Sequence, residues 1–213
     1  MALSKVDYNS LNVTPTASKA LKWNSGADGF EAGDVAGSLV LIQTQTASSS
    51  SAISFTSNID DTYDEYVFKF YDIHPATDSA DFQVNFRDGS SAYDATKTTT
   101  FFRAYHDEGD TATALSYETG DDVSGGTGVQ KLAVGVGNDN DQSCSGVLHL
   151  FNPSSTTFGK HFMSTFSNNN ASDYFNNTYI AGMCDVTVAI DGVQFSFSSG
   201  NIDAGVIKMY GVS

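Results

Sequence analysis

The chain has 213 residues, of which 12% are aromatic and only 16% charged, so it could form one large β domain whose solvent faces are covered by Ser, Thr, Asn and Gln. Its formal net charge of −15 leaves no basic stripe that could neutralise phosphates, and we expect no nucleic-acid partner and no attachment to an anionic membrane. Residues 1–8 are too polar for a signal peptide and no apolar run reaches transmembrane length, so we expect synthesis in a cytoplasm without a secretory signal.

Residues 1–37 differ from the rest of the chain because their periodicity is weak for both helix and strand. A structureless loop of this length inside a compact domain would be unusual. We therefore predict an extended N-terminal arm for attachment and oligomerisation, with a flexible terminus as the alternative. The apolar anchors of this arm, expected to pack on a neighbouring subunit or another protein, are Leu11, Val13, Leu21 and Trp23.

From residue 38 onward, short stretches of alternating apolar and polar residues recur with turn residues between them. The clearest lies at residues 66–71, and Pro75 ends it because proline removes a donor from the strand ladder. No stretch has a useful helical period and no internal repeat occurs. The pattern predicts an all-β fold, a jelly-roll-like antiparallel β-sandwich over residues 38–213. The predicted strands cover residues 38–44, 52–56, 66–71, 82–86, 98–106, 113–118, 129–136, 146–151, 158–165, 178–182, 193–197 and 206–210.

The chain ends on a predicted strand pair. Val193, Phe195 and Phe197 alternate with polar residues, which predicts one apolar face. Residues 199–201 have the composition of a turn, since Gly and Asn accept positive φ. The closing strand at 206–210 is expected to pair inside a sheet and to fix the C-terminus.

An acidic loop at residues 137–142 is the best candidate for an ion site. It alternates carboxylates with amides, and calcium takes oxygen ligands of this kind. Asp139 and Asp141 are the predicted ligands. The loop lacks the glycine and the terminal glutamate of an EF-hand, so a solvated turn is the alternative. We expect that no cofactor is required, with calcium as the one candidate.

Residues 105–108 place His106 beside two carboxylates. Adjacent residues on a strand point to opposite faces, so these neighbours in sequence are not expected to converge in a pocket. No motif of an activated serine, an activated cysteine or a metal hydrolase accompanies them. We predict no catalytic residue and no enzyme. A pair of glycosidase carboxylates stays an open alternative, because the fold brings such residues together and they need no fixed spacing in the sequence.

Residues 167–178 form a predicted loop that combines aromatic rings with amide side chains. Rings can stack on the apolar faces of sugars while amides bond their hydroxyls. The predicted glycan contacts are Tyr174, Phe175 and Tyr179. An Asx-rich loop without any ligand is the alternative.

Cys144 and Cys184 are the only cysteines, and they lack the spacing of a zinc site. A disulfide would need close Cβ atoms on neighbouring strands, which the sequence leaves open. Two free, half-buried thiols are the favoured interpretation.

Residues 199–212, with Phe195 and Phe197 before them, resemble the C-terminal strand pair of structural proteins from tailed bacteriophages, particularly marine ones. Residues 1–8, 53–73 and 150–156 are similar to the same group, so the resemblance touches most of the chain. Its motifs are strand aromatics and turn glycines, and it carries over no catalytic residues. The resemblance implies a virion surface component: a tail fibre, a fibre-like appendage or a capsid decoration protein.

The leading prediction is a non-enzymatic virion structural protein at the virion surface, an appendage that attaches by its N-terminal arm and contacts host-surface polysaccharide. Its expected partners are other virion proteins and further copies of itself, with a trimer favoured. A complete long fibre is disfavoured because the chain has neither heptads nor a repeat. A capsid decoration or cement protein and a carbohydrate-binding module are the alternatives.

Overall fold

The computed structural model describes residues 13–14, 16, 19–33 and 39–212. Within these ranges all regular secondary structure is β-strand, and no helix is long and apolar enough to cross a membrane. The strands are β1 (Ala20–Trp23), β2 (Phe30–Gly33), β3 (Leu39–Thr46), β4 (Ile53–Phe55), β5 (Glu65–Pro75), β6 (Ala80–Arg87), β7 (Lys97–Asp107), β8 (Thr113–Tyr117), β9 (Gln130–Val136), β10 (Cys144–Phe151), β11 (Lys160–Asn169), β12 (Tyr174–Cys184), β13 (Gly192–Phe197) and β14 (Ile202–Val212).

Strands β3 to β14 form two antiparallel sheets. The larger has eight strands in the order β3-β14-β5-β10-β11-β12-β7-β8, and the smaller has four in the order β4-β13-β6-β9. The chain passes repeatedly between the sheets, as in the step from β4 through β5 to β6. The predicted all-β antiparallel sandwich is confirmed, and the strand order is consistent with a jelly-roll-like arrangement.

The inner faces of the two sheets meet in a core dominated by phenylalanine. The predicted alternation on β5 is confirmed, since Phe68 and Phe70 are buried on one face. From the opposite sheet, Phe195 on β13 places its ring centroid 5.5 Å from that of Phe68 and 4.8 Å from that of Phe70. Each such side chain contributes about 1.5–3 kcal/mol by leaving water, so these rings hold the sandwich together.

Two lysines are buried at one end of this core. Lys97 Nζ donates a hydrogen bond to Gly128 O at 2.7 Å, and Lys160 Nζ donates to Val186 O at 2.8 Å. Burial lowers the pKa of both ammonium groups. Because each donates to a loop carbonyl, Lys97 anchors a loop to the start of β7 and Lys160 anchors another to the start of β11.

Both cysteines are free, and they are fully buried rather than half-buried. Strand β11 lies between them in the sheet: Cys144 pairs with Asn168 near one end of β11, and Cys184 pairs with Lys160 at the other. Eight residues of strand correspond to about 26 Å. This separation rules out a disulfide in the fold, because bridged Cα atoms lie within about 7 Å.

Strands β1 and β2 form a hairpin inside the predicted arm. Asn24 and Asp28 exchange hydrogen bonds across the connecting turn, and the rings of Trp23 and Phe30 stack at 4.4 Å. Four-residue strands are too short to produce a period in the sequence, which is why the hairpin was not predicted.

The four predicted anchors of the arm have different positions. Leu21 and Trp23 lie on β1 with 46% and 61% of their surface exposed. Val13 belongs to no strand, and Leu11 falls outside the described residues. The attachment role of residues 1–37 stays a prediction.

The predicted loop at 167–178 is wrong. Strand β11 continues to Asn169 and β12 already begins at Tyr174, which leaves only a tight turn between them. Asn170 closes this turn, because its side-chain Oδ1 accepts hydrogen bonds from the backbone N–H groups of Ser172 and Tyr174. The amide-rich sequence therefore forms the ends of two strands and not a long loop.

Candidate binding cleft

The three predicted glycan contacts all lie on β12, but on opposite faces of the sheet. Successive side chains of a strand alternate, so Tyr174 points to the core side while Phe175 and Tyr179 point to the outer side. Phe175 and Tyr179 are 55% and 46% exposed, and Tyr174 is half-buried. The structure does not bring the three rings together, and Tyr174 lines a cleft that Phe175 and Tyr179 do not line.

That cleft lies on the core side of the eight-stranded sheet, where β7 and β12 approach the turn before Tyr174. Asn176 on β12 is directly opposite Tyr105 on β7. The cavity has a volume of about 190 Å³. We call it the Arg103 cleft, and it is lined by Arg103, Tyr105, Asn170, Tyr174 and Asn176.

Two tyrosines form perpendicular walls of the Arg103 cleft. The ring centroids of Tyr105 and Tyr174 are 5.3 Å apart and their planes meet at 83°. The guanidinium carbon of Arg103 lies 5.2 Å from the Tyr105 centroid, close enough for a cation–π contact that fixes the ring. A ligand in the cleft would meet one ring face and one ring edge, with two phenol groups available for hydrogen bonding.

Asn176 is the most informative residue of the cleft. Its side chain is 1% exposed, yet neither its Nδ2 nor its Oδ1 has a hydrogen-bond partner among the described residues. Arg103 Nε, also buried, is unpartnered in the same way. An unsatisfied buried polar group costs about 1–3 kcal/mol, so three such atoms around one cavity indicate that a ligand or water completes them.

Replacing Asn176 by the similarly shaped leucine removes both unsatisfied amide atoms. We expect the Asn176→Leu variant to keep the free energy of unfolding of the parent chain or to exceed it by up to about 1–3 kcal/mol. Urea unfolding of both proteins measures the difference.

Asn168 supplies the matched control, because it is the cross-strand neighbour of Asn176 and equally buried. Its Nδ2 donates to Val134 O at 3.1 Å, although its Oδ1 has no partner among the described residues, so Asn168→Leu removes a hydrogen bond that Asn176 does not make and should lose about 1–3 kcal/mol. Equal losses in the two variants would contradict the assignment of Asn176 to the cleft.

The charge of Arg103 is balanced within the protein. Its Nη2 donates to Glu118 Oε1 at 3.2 Å, and the hydroxyl of Ser116 donates to the same oxygen at 2.6 Å. Arg103 and Glu118 have about a quarter of their side-chain surface exposed, 27% and 26%. The cleft lining thus combines a guanidinium that Glu118 neutralises with aromatic and amide groups.

The outer face of the sheet carries a second group of aromatic side chains. Phe102 on β7 lies between Tyr117 on β8 and Tyr179 on β12, and the Phe102 and Tyr117 centroids are 5.2 Å apart. Asn177 Nδ2 donates to the hydroxyl of Tyr179 at 2.8 Å, so this amide hydrogen bond stays within the protein. None of these four residues lines the Arg103 cleft, so ring stacking on this outer face can be tested separately.

The predicted calcium ligands Asp139 and Asp141 lie near the end of β9, in the turn that leads to β10. Asp141 lines an open cleft together with Asp72 and Asp203, while Asp139 presents its backbone carbonyl 3.3 Å from His74 Nε2. Within the described ranges no three His, Cys, Asp or Glu side chains come together as a metal-binding group. Calcium binding by Asp139 and Asp141 stays a prediction.

His106 and the neighbouring Asp107 bond to different partners and do not converge in a pocket. His106 Nε2 lies 3.1 Å from Asp110 Oδ1, whereas the Asp107 carboxylate accepts hydrogen bonds from the backbone of Thr111 and Ala112. The side-chain and backbone bonds from Thr111 hold the pKa of Asp107 below its usual range. These bonds connect the end of β7 to the turn that follows it. The separate partners of His106 and Asp107 agree with the alternation of neighbours on a strand.

Sequence reasoning missed Arg103, Tyr105 and Asn176 as members of one site. A signal was present on β12, where alternation puts Asn176 on the same face as the core residues Thr178 and Ile180. A large polar residue at a core-facing position is uncommon unless it is bonded or functional. The grouping with Arg103 and Tyr105 depends on the pairing of β7 with β12, which the sequence does not specify.

No protein-family model, curated protein or solved structure matches this chain.

Proposed function

We propose that this chain is a non-enzymatic structural protein of a bacteriophage virion surface whose β-sandwich binds host-surface saccharide in the Arg103 cleft. The virion setting comes from the resemblance of residues 53–73 and 199–212 to tailed-phage structural proteins. The binding activity comes from the cleft. The observation that supports it most is the buried Asn176 amide, whose donor and acceptor both lack a partner within the described part of the chain and lie beside two tyrosine rings.

The chemistry of the cleft matches a sugar. A pyranose ring has apolar faces that stack on tyrosine rings and hydroxyls that both donate and accept hydrogen bonds. The amide of Asn176, the Nε of Arg103 and the phenol groups of Tyr105 and Tyr174 offer both kinds of partner within one cavity. Among the residues that the structure describes, no carboxylate lines the cleft, so an acid–base pair for hydrolysis is not part of this proposal.

The N-terminal hairpin fits the attachment role proposed for residues 1–37. Trp23 and Phe30 form a stacked pair that leaves 61% and 38% of their surfaces exposed. Aromatic rings of this kind are common anchors in protein interfaces. We propose that other virion proteins or further copies of this chain cover them, in an oligomer for which a trimer is favoured.

Tyr174→Ala and Tyr105→Ala are expected to reduce saccharide binding at least tenfold, because each removes one wall of the cleft and a phenol group. A tenfold loss corresponds to about 1.4 kcal/mol. The measurement is a glycan array followed by titration calorimetry of the strongest glycan with the full chain.

Phe175→Ala and Tyr179→Ala are the matched controls, since they remove rings of similar size from the other face of the same strand. They should bind as the parent chain does. The proposal fails if the array gives no glycan signal, and the cleft assignment fails if binding is lost in the outer-face variants instead.

Mass spectrometry of purified virions tests the virion setting independently. We expect the chain in the particles, with a copy number of about a dozen for a tail appendage (cyclic oligomers of low order) or hundreds for the capsid decoration alternative. Absence from the particles would refute the virion setting and leave the saccharide assay unaffected.

A further inference from the structure

We infer that the Arg103 cleft takes the terminal residue of an uncharged glycan and rejects uronic and sialic acids. This inference rests on the proposed saccharide binding and adds the ligand class. It follows from the charge balance of the cleft, from the hydrogen-bonding needs of Asn176 and from the cleft volume.

The one cation in the cleft lining is already neutralised. Arg103 donates to Glu118 at 3.2 Å, and Ser116 holds that carboxylate in place from the same side of β8. A sugar carboxylate that approached the guanidinium would compete with Glu118 and would face its negative charge. Fork-like recognition of a carboxylate, the usual role of an arginine in an acid-binding site, would place a second carboxylate on the same guanidinium as Glu118, against the negative charge of Glu118.

Two aspartates adjoin the cleft lining, since Asp107 pairs with Tyr174 across β7 and β12 and Asp173 precedes Tyr174 in the chain. Asp107 follows Tyr105 by two positions on the same face of β7, and hydrogen bonds from Thr111 keep its pKa low, so it is ionised at neutral pH. Asp173 precedes Tyr174 in the turn, and its carbonyl accepts a hydrogen bond from the backbone N–H of Glu108 at 3.1 Å. The chain as a whole has a net charge of −15. An anionic sugar therefore meets repulsion at the rim that a neutral sugar does not.

The unpartnered amide of Asn176 favours a sugar hydroxyl over a carboxylate as its direct neighbour. Its Nδ2 needs an acceptor and its Oδ1 needs a donor. Sugar hydroxyls supply both, whereas an ionised carboxylate only accepts and would leave Oδ1 unpaired. The buried Arg103 Nε needs an acceptor, which a hydroxyl or a ring oxygen also provides.

The size of the cleft limits the ligand to one ring. Its volume of about 190 Å³ lies below the roughly 300–1,000 Å³ typical of drug-sized ligand pockets. A cavity of this size can enclose one monosaccharide residue but not a run of linked sugars. The terminal residue of a glycan fits this volume, because it is linked to only one other sugar and the rest of its ring is free to enter the cleft.

Calorimetric titration of the full chain with methyl glycosides tests this inference. The ligands are the methyl glycosides of glucose, galactose, mannose and N-acetylglucosamine, and the methyl glycosides of glucuronic and galacturonic acid. We expect at least one neutral glycoside to bind and its uronic counterpart to bind at least tenfold more weakly, a difference of about 1.4 kcal/mol. Equal or tighter binding of the uronic counterpart would overturn the inference.

The glycan array separates this failure from failure of the proposed function. Signals confined to acidic glycans, lost in Tyr174→Ala, would overturn the neutral class and leave saccharide binding intact. No glycan signal of any kind would overturn both. Signals for neutral glycans that disappear in Tyr174→Ala and persist in Phe175→Ala would support both.

Glu118→Gln tests the charge argument, because glutamine keeps an oxygen that accepts from Arg103 and Ser116 but removes the negative charge. We expect its affinity for the uronic glycoside to rise about tenfold while that for the neutral glycoside is kept. Asp61→Asn, which removes the same charge from an exposed turn before β5, is the control and should change neither affinity. Unchanged discrimination in Glu118→Gln would show that Glu118 does not set the ligand class.

Discussion

Phe195→Ala is expected to destabilise the protein by about 3–5 kcal/mol, the range for removing a buried phenylalanine from a packed core. Phe195 is fully buried on β13, and its ring lies within 4.8–6.2 Å of four others, those of Phe55, Phe68, Phe70 and Phe82. Two of these four rings, Phe68 and Phe70, belong to the opposite sheet. The cavity would therefore open between the sheets, where neither can collapse alone.

Urea or guanidinium unfolding measures this loss, which is a large part of the 5–15 kcal/mol that stabilises a typical domain. Phe158→Ala is the control, since Phe158 is 71% exposed, and we expect it to stay within about 0.5 kcal/mol of the parent chain. A loss below about 1 kcal/mol for Phe195→Ala would contradict the packing of the two sheets through this residue.

Raising the pH from 9 to 11 is expected to destabilise the protein through its buried thiols. Burial raises the pKa of Cys184 from 9.0 to about 12 and raises that of Cys144 as well. Below pH 9 both states hold the thiol proton, so the stabilisation is fully present. As the pH rises further, the unfolded chain loses the proton while the folded chain keeps it, and stability falls by about 1.4 kcal/mol per pH unit for each thiol.

Comparing the parent chain with Cys184→Ala isolates this effect. Over the two units from pH 9 to 11, the loss of unfolding free energy should be smaller in the variant by about 2–3 kcal/mol. Lys97 and Lys160 act in the opposite direction, since burial lowers their pKa, but both proteins contain them. Urea unfolding under reducing conditions at several pH values gives the two curves, and parallel curves would refute the assignment.

Most of the sandwich could be predicted because large apolar residues alternate along its central strands. Strands β5, β6 and β13 each have an inner face of aromatic or β-branched residues, which produces a clear two-residue period. The sequence predicts that β12 begins at residue 178, whereas the strand begins at Tyr174. Its first residues, Tyr174 to Asn177, line a cleft or face solvent and do not fill the core, so the apolar period is absent where the strand begins.

The cleft could be predicted only in part. The aromatic and amide composition before residue 178 directs attention to Tyr174, which lines the cleft, but the loop interpretation places Phe175 and Tyr179 beside it. Strand alternation separates these neighbours, and strand register brings in Tyr105 and Arg103 from β7. A polar residue on a core-facing position conflicts with the local pattern of the fold, and such conflicts are expected at functional sites.

The most direct test of the central claim is a crystal structure of the full chain with the strongest glycan from the array. We predict one uncharged sugar ring in the Arg103 cleft, in contact with Tyr105 and Tyr174, with hydroxyls within about 3.2 Å of both amide atoms of Asn176. A glycan bound only on the outer face, against Phe102, Tyr117 or Tyr179, would contradict the claim. So would a cleft that holds only water while the glycan is bound elsewhere.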